Sequence, residues 1–336
     1  MSNSKIRVGV IGLGMMGLTH LDVYSKLPGV EIAAIADINI HRLSGEEKAS
    51  GNIEGQAQGG IDFSTIKKYK EGFDLIADPE IDLVDVCLPT MMHAQYAVAA
   101  LKADKHLLLE KPMARTYDEC VQILEAAVTA KGFAMPAMCI RFWPGYDWLK
   151  HAVENNTYGK VYSAQFYRLS SHPGPMYLDG DKTGGAALDL HIHDADFVRY
   201  VFGNPESVTC AGYKKLTNHY DHVKAGYNYK DVPLVTAEGA WCMQPGFPFT
   251  MAYTVNFENA TAIFNNGVLK LCQNGEEKNI ELSQQMGYAI EIAYFVECIQ
   301  KNTPPTLVTL KEAAESVRLI ETECRSMDEK GAVIKF

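Results

Sequence analysis

Basic residues are in short supply: 31 Lys and Arg stand against 41 Asp and Glu, a formal net charge of −10, and no block of five or six basic residues occurs. A phosphate backbone or an anionic membrane surface is therefore a poor match, and neither nucleic acid nor membrane is expected as a partner. Long apolar runs are missing as well. The longest, Val8 to Leu18, is broken by Gly9, Gly12, Gly14 and Gly17, far short of the roughly 20 apolar residues that a membrane span needs. The N-terminus MSNSKIRVGVIG carries no twin-arginine pair and runs into structured sequence without a small-residue cleavage site. No export signal is expected, and a cytoplasmic location follows. There is no CxxC either; Cys87, Cys120, Cys139, Cys210, Cys242, Cys272, Cys298 and Cys324 are scattered, mostly inside apolar segments, as reduced core thiols would be.

What is present is ordinary for a globular protein. Of 336 residues, 47% are hydrophobic and 21% charged, which argues against long disorder or collagen-like repeats. At about 100–200 residues per domain, the length suggests two domains or one large one.

The first 140 residues alternate short β-branched runs (Ile6–Ile11, Val30–Ala36, Leu83–Leu88, His106–Leu109, Phe133–Met138) with helical spacing (Met15–Leu27, Met92–Lys102, Tyr117–Ala130). This pattern predicts βαβ units and a parallel sheet. Thr116 and Glu119 stand as a capping box before the last of these helices. The stretch Ser50–Gly60 reads as a Gly-rich surface loop. After Arg141 the texture shifts to longer strands, Val161–Ser170, Ser207–Lys215, Val235–Met243, Thr250–Glu258, Thr261–Phe264 and Val268–Gln273, with Asn-Gly turns between some of them. A largely antiparallel sheet is expected there, closed by helices over Tyr288–Lys301 and Leu310–Asp328. The predicted class is α/β, with residues 1–140 as a domain on a parallel sheet and 141–336 as a second domain on a large, mostly antiparallel sheet.

Directly after the first strand comes Gly12-Leu13-Gly14-Met15-Met16-Gly17, a GxGxxG that opens a helix. Such glycines allow a tight turn and close approach of backbone to pyrophosphate, and the helix start supplies free N–H groups. Twenty residues past Gly17, Asp37 ends the second strand, where a carboxylate can accept bonds from ribose hydroxyls. Each part alone could be a bare βα turn; together they predict a dinucleotide site. Asp37 repels a 2′-phosphate, which favours NAD over NADP, with Arg42 as the opposing signal.

Glu110-Lys111-Pro112 ends another strand at the sheet edge where such folds bind ligands. Downstream, Gly184-Gly185-Ala186-Ala187-Leu188-Asp189-Leu190-His191-Ile192-His193-Asp194-Ala195-Asp196 leads into a helical pattern. On an α-helix Asp189 and His193 share one face, while His191 points about 200° from Asp189. These His and Asp groups then cannot converge on one ion, so no metal is expected.

These features resemble the Gfo/Idh/MocA family of oxidoreductases, with its N-terminal Rossmann domain, EKP motif and GG…DxxxH segment. The resemblance extends to Pro89-Thr90 and His93, to Tyr288 and Glu291, and to the stretch Ser326 to Gly331. It implies a Rossmann dinucleotide-binding domain over residues 1–140, a substrate-binding and oligomerisation domain with an open-faced sheet over 141–336, nucleotide contacts from Pro89, Thr90, His93, Glu110 and Lys111, and Lys111, Asp189 and His193 as the catalytic set. His191 stands where many members have Gly. The roles fit the chemistry of oxidising a secondary alcohol. His193 is suited to take the hydroxyl proton near neutrality, Lys111 to stabilise alkoxide charge, and Asp189 to orient them.

Arg141, Trp143, Tyr146, Trp148, Tyr167, Arg168, His172 and Tyr177 follow the domain boundary. Aromatic planes with Arg and His donors suit a carbohydrate or cyclitol, so Lys111, Arg141, Trp143, Arg168, His172, Asp189 and His193 form the expected substrate set, although core packing competes for half of the aromatics. The stretch Thr217–Tyr229 reads as a loop that covers the site, faces another subunit, or does neither. Alternating apolar strands predict a homodimer or homotetramer. Two other functions remain open: an NAD-dependent glycosidase that oxidises transiently and eliminates, with His191, His172 or Tyr177 as extra acid or base, and a non-catalytic dinucleotide sensor.

Overall fold

The computed structural model describes residues 5–47 and 61–336; the Gly-rich stretch Ser50–Gly60 lies outside the described residues. Two compact units emerge, Met1–Cys139 with Tyr288–Ala314, and Ile140–Gly287 with Glu315–Phe336. This differs from a single cut at residue 140, because residues 288–314 return to the first unit after the long β-rich stretch.

In the first unit β1 (Ile6–Ile11), β2 (Val30–Ala36), β3 (Lys67–Tyr69), β4 (Leu83–Val86), β5 (His106–Glu110) and β6 (Ala134–Ala137) form one sheet in the order β3-β2-β1-β4-β5-β6. Every pairing is parallel. β1, β4 and β5 are buried along nearly their whole length, which is why they read as continuous apolar runs instead of alternating ones. The order reverses between β1 and β4, and ligands of such sheets bind outside that point. The helices are α1 (Met15–Lys26), α2 (Ile40–Ser44), α3 (Gly72–Ala77), α4 (His93–Lys102) and α5 (Tyr117–Ala127). At α5 the capping box is formed: the Glu119 N–H donates to the Thr116 hydroxyl at 3.2 Å and the Thr116 N–H to the Glu119 carboxylate at 3.3 Å, worth about 1 kcal/mol. β3 and α3 are too short to leave a periodic signal, and the sequence reading misses them.

The second unit opens with α6 (Tyr146–Glu154), followed by β7 (Val161–Ser171), α7 (Gly180–Thr183) and α8 (Ile192–Phe202). Then come β8 (Ser207–Tyr213), β9 (His222–Asn228), β10 (Leu234–Met243), β11 (Thr250–Phe257), β12 (Thr261–Asn265), β13 (Val268–Gln273) and β14 (Glu276–Ile280). After α9 (Gly287–Gln300) and α10 (Leu310–Asp328), β15 (Ile334–Lys335) ends the chain. Nine strands make one sheet, β14-β13-β12-β11-β7-β10-β9-β8-β15, antiparallel except for β7 beside β10. At Asn266-Gly267 and Asn274-Gly275 all four residues have positive φ, as tight hairpin turns require.

Alternation sets the two faces. On β11, Met251, Tyr253, Val255 and Phe257 are buried, while Thr250, Ala252, Thr254 and Asn256 are not. Tyr146, grouped from sequence with the possible sugar-facing aromatics, is core instead: its ring meets Phe197, Tyr253 and Phe264 edge-on at 4.9, 5.4 and 5.3 Å. The reading of Thr217–Tyr229 as a loop is also corrected, since His222–Asn228 is a full strand between β8 and β10. Its polar residues face outward while Val223, Ala225 and Tyr227 point inward. All eight cysteines are free thiols. Among the described residues no helix is long and apolar enough to cross a membrane.

Candidate active site

The turn after β1 is built around missing side chains. Gly12 has φ +94°, and a Cβ there would collide with the Cys87 carbonyl, as one on Gly17 would with the Gly12 carbonyl. A Cβ on Gly14 would meet nothing within 4 Å. Gly14 is the N-cap of α1 and no side chain caps it, so the N–H groups at the helix start, beginning with Met15 and Met16, lie open to an anion. Asp37, just past β2, accepts the Leu13 N–H at 2.7 Å and the Asn39 N–H at 2.8 Å. The carboxylate is thereby fixed beside the turn, and its remaining lone pairs suit two vicinal hydroxyls. The turn and the acid fit a dinucleotide. Arg42 lies 3.9 Å from Asp37 and 3.2 Å from Glu47. Next to Asp37, Ile38 and Ile40 are 77% and 72% exposed, an apolar pair that sequence reasoning missed although it adjoins the acid.

At the opposite side of the switch point, Pro89 is the N-cap of a 3₁₀ turn, Thr90–Met92, after β4. His93 is buried, and its two ring nitrogens each lie 2.7 Å from a backbone carbonyl, those of Pro112 and Leu88. It ties the β4 turn to the corner after β5. Burial holds its pKa below the ordinary value. At that corner Glu110 is buried, Lys111 is half-buried and the Lys111–Pro112 peptide is cis. The Lys111 N–H donates to Glu110 at 3.0 Å.

Behind the corner lies a network that the sequence reading did not find. His20 on α1 stands between Asp85, 2.8 Å from Nδ1, and Glu110, 3.1 Å from Nε2. Burial disfavours an imidazolium, but Asp85 and Cys87 together outweigh it and raise the His20 pKa well above its ordinary value. Burial likewise pushes Glu110 up, and His20 pulls it back below the usual carboxylate value. With Cys87, whose thiol burial pushes up, His20 and Asp85 bring three possible ligand atoms within 4.8 Å. The 2.8 Å His20–Asp85 contact is a hydrogen bond, and hydrogen bonding accounts for the group. A signal was there to read: Asp85 interrupts an otherwise apolar strand, and a buried carboxylate requires a partner.

In the second unit Gly184 and Gly185 have φ of 88° and 69°. A Cβ on Gly185 would lie 2.7 Å from His219 and 2.8 Å from the Tyr220 carbonyl, so the segment before β9 passes directly over this glycine pair. Ala187–His191 is wound as a π-helix and continues into α8. The α-helical step of about 100° used to orient Asp189, His191 and His193 therefore does not apply across this turn; wider i→i+5 bonding replaces it. Asp189 and His193 are both half-buried, while His191, Ile192 and Asp194 are fully buried. The groups once weighed together as metal ligands have separate partners: His191 lies 3.0 Å from Glu323 and Asp194 lies 2.7 Å from Arg168.

Arg168 on β7 and Arg141 before α6 are 3% and 1% exposed. Arg141 grips Asp196 with two bonds of 2.8 and 2.7 Å. Both guanidinium groups are thus committed inside the unit. Trp143 is half-buried in the turn before α6. His172, just past β7, accepts the Gly174 N–H at 3.3 Å and meets Trp241 edge-on at 5.5 Å, with Tyr177 6.0 Å from the same indole.

Comparison with known proteins fits this geometry. Residues 6–137 match the family model described as "Oxidoreductase family, NAD-binding Rossmann fold", and residues 146–263 match the "GFO/IDH/MocA C-terminal domain". The chain belongs to the Gfo/Idh/MocA family. Its first unit is accordingly an NAD-binding Rossmann domain. Myo-inositol 2-dehydrogenase of Thermotoga maritima is 34% identical over 199 residues, 59% of this chain and 55% of that one. The Bacillus subtilis oxidoreductase YrbE is 29% identical over 294 residues, 85% of this chain and 73% of that one. The match thus spans about half the length of the first relative. In fold, a levoglucosan dehydrogenase solved with NADH and levoglucosan superposes with a TM-score of 0.86 at 18% identity, covering 99% of both chains.

Proposed function

We propose that this Gfo/Idh/MocA protein is an NAD-dependent dehydrogenase of a secondary hydroxyl on a carbohydrate or cyclitol. The observation that carries the reading is the joint presence of a nucleotide turn whose Leu13 N–H fixes Asp37 and a half-exposed Asp189–His193 pair on a π-to-α junction. Relatives named for inositol and levoglucosan support the substrate class. NAD, when bound, supplies the hydride acceptor. His193 takes the hydroxyl proton, Lys111 holds positive charge against the developing alkoxide, and Asp189 orients both while accepting bonds from neighbouring hydroxyls.

Gly12–Gly17 and Asp37 hold the pyrophosphate and the ribose, and Ile38 covers the base. Pro89, Thr90 and Glu110 shape the nicotinamide end, with His93 as a brace between their turns. Trp143 and His172 join Lys111, Asp189 and His193 toward the substrate, whereas Arg141 and Arg168 act as buried braces. The second face of the nine-stranded sheet, where Tyr162, Leu234 and Val268 are about half exposed, packs against another copy in a dimer or tetramer. We place the enzyme in the cytoplasm.

A screen of inositols, aldoses, polyols and glycosides with NAD tests the reading, followed by nicotinamide absorbance and chromatography. NADH formed in proportion to oxidised sugar is expected. Free sugar released from a glycoside without net NADH overturns it in favour of oxidation and elimination.

A further inference from the structure

His191 is completely buried, with a carboxylate and a phenol hydroxyl beside its Nε2. Its Nε2 lies 3.0 Å from Glu323 on α10, also fully buried. The Tyr227 hydroxyl on β9 donates to the other Glu323 oxygen at 2.8 Å and lies 3.4 Å from the His191 ring. On β10, Gly239 leaves the space: a Cβ there would sit 2.7 Å from the His191 Cβ and 2.9 Å from its Nδ1. The charged groups facing the ring are Glu323 from α10, Asp194 from α8 and Arg168 from β7. Burial opposes the imidazolium, Glu323 and Asp194 favour it, Arg168 works against it, and the balance raises the His191 pKa.

The position of this ion pair matters more than its strength. His191 is the last residue of the π turn, two residues after Asp189 and two before His193. A π turn holds one more residue than an α turn, and relaxing it would rotate Asp189 relative to His193 by about 100°, one residue's step. Toward its C-terminal side the junction is pinned by Asp194 on Arg168 and by Asp196 on Arg141 and Ser316. Within the π turn, the His191–Glu323 pair anchors the buried side.

We propose that His191 is a positioning residue, whose buried ion pair with Glu323 holds the π turn in register so that Asp189 and His193 present their side chains together. This rests on reading those two as the acid/base set. Two measurements on the full-length protein test it. Histidine labelled with ¹³C at Cε1 reports the protonation of His191 by NMR, whether or not a substrate is known. His191 stays an imidazolium above the ordinary histidine range, and Glu323→Gln lowers its titration by about one pH unit or more. In turnover, Glu323→Gln lowers kcat by about 10- to 100-fold, as misplacement of a catalytic pair does, leaving NAD affinity and KM within about twofold. Tyr227→Phe, a milder change that keeps the ion pair, gives a smaller loss of the same kind and serves if Glu323→Gln does not fold. A neutral His191 at pH 7 overturns the proposal, as does a folded Glu323→Gln protein with full kcat and only a lower melting temperature. A parent protein that oxidises no sugar or cyclitol removes the reading of Asp189 and His193 instead, and the NMR titration alone then decides the ion pair.

Discussion

His20 Nδ1 lies 2.8 Å from an oxygen of Asp85, with both side chains wholly inside the first unit. Through the other ring nitrogen the same residue reaches Glu110, and Glu110 accepts the N–H of Lys111. One imidazolium therefore joins α1, a central strand and the corner that carries the proposed catalytic lysine.

His20→Gln leaves two buried carboxylates without their cation and costs about 3–5 kcal/mol of stability. Because the folded His20 pKa is raised above the unfolded value of about 6.5, the stabilisation is complete below that pH and is lost as pH rises through the folded pKa. Urea unfolding at a series of pH values should show the parent weakening toward alkaline pH and the variant changing less. Equal slopes would exclude a charged His20.

Asp37 should favour NAD over NADP by at least about tenfold, or 1.4 kcal/mol. Calorimetric titration with both nucleotides measures this. Equal affinity would mean that Arg42 leaves Glu47 and takes the 2′-phosphate.

His193→Asn should lower turnover by about 10²–10⁴-fold, the typical worth of a general base. NAD affinity should barely change, because the turn around Gly12–Gly17 and Asp37 is untouched. Lys111→Ala should reduce turnover and weaken NAD binding together. Steady-state kinetics with separate nucleotide titrations distinguish the two, and a fully active His193 variant refutes the assignment.

Asp78 accepts the Glu80 N–H at 2.8 Å, the Tyr69 hydroxyl at 2.7 Å and the Lys67 ammonium at 3.2 Å. The backbone bond first, and then these side chains, lower its pKa to about 2. The stability it contributes is present above about pH 4 and is lost as pH falls through 2. Asp78→Asn should flatten the acid limb of the stability curve. An unchanged limb in thermal scans from pH 5 to 2 would count against it.

Light scattering at micromolar concentration should report at least a dimer of the 37.2 kDa chain, since the open sheet face needs cover. A monomer would contradict the proposed packing.

Much of the fold is legible because its signals are local. The GxGxxG and Asp37 need only the order strand, turn, helix, strand, and the capping box at Thr116 needs four residues. The inward stripe of β9 was equally local, yet Asn218, His219, His222, Tyr227, Asn228 and Tyr229 gave the segment the composition of a loop. Its strand character comes from pairing with β8 and β10. The π turn leaves no trace in periodicity, because one extra residue in a helix is invisible until its partners are known. The destinations of Arg141, Arg168 and His191 were hidden for the same reason: Asp196, Asp194 and Glu323 are matched to them by the fold.

Residues 288–314 belong to the unit that begins the chain. During synthesis the Rossmann sheet leaves the ribosome without α9, and residues 140–287 take roughly 7 to 30 s to add at about 5–20 residues per second. Over that interval the unit lacks Ile292, Phe295 and Val296, all buried in the finished protein. The parallel-sheet unit is therefore completed only after residues 288–314 have been made.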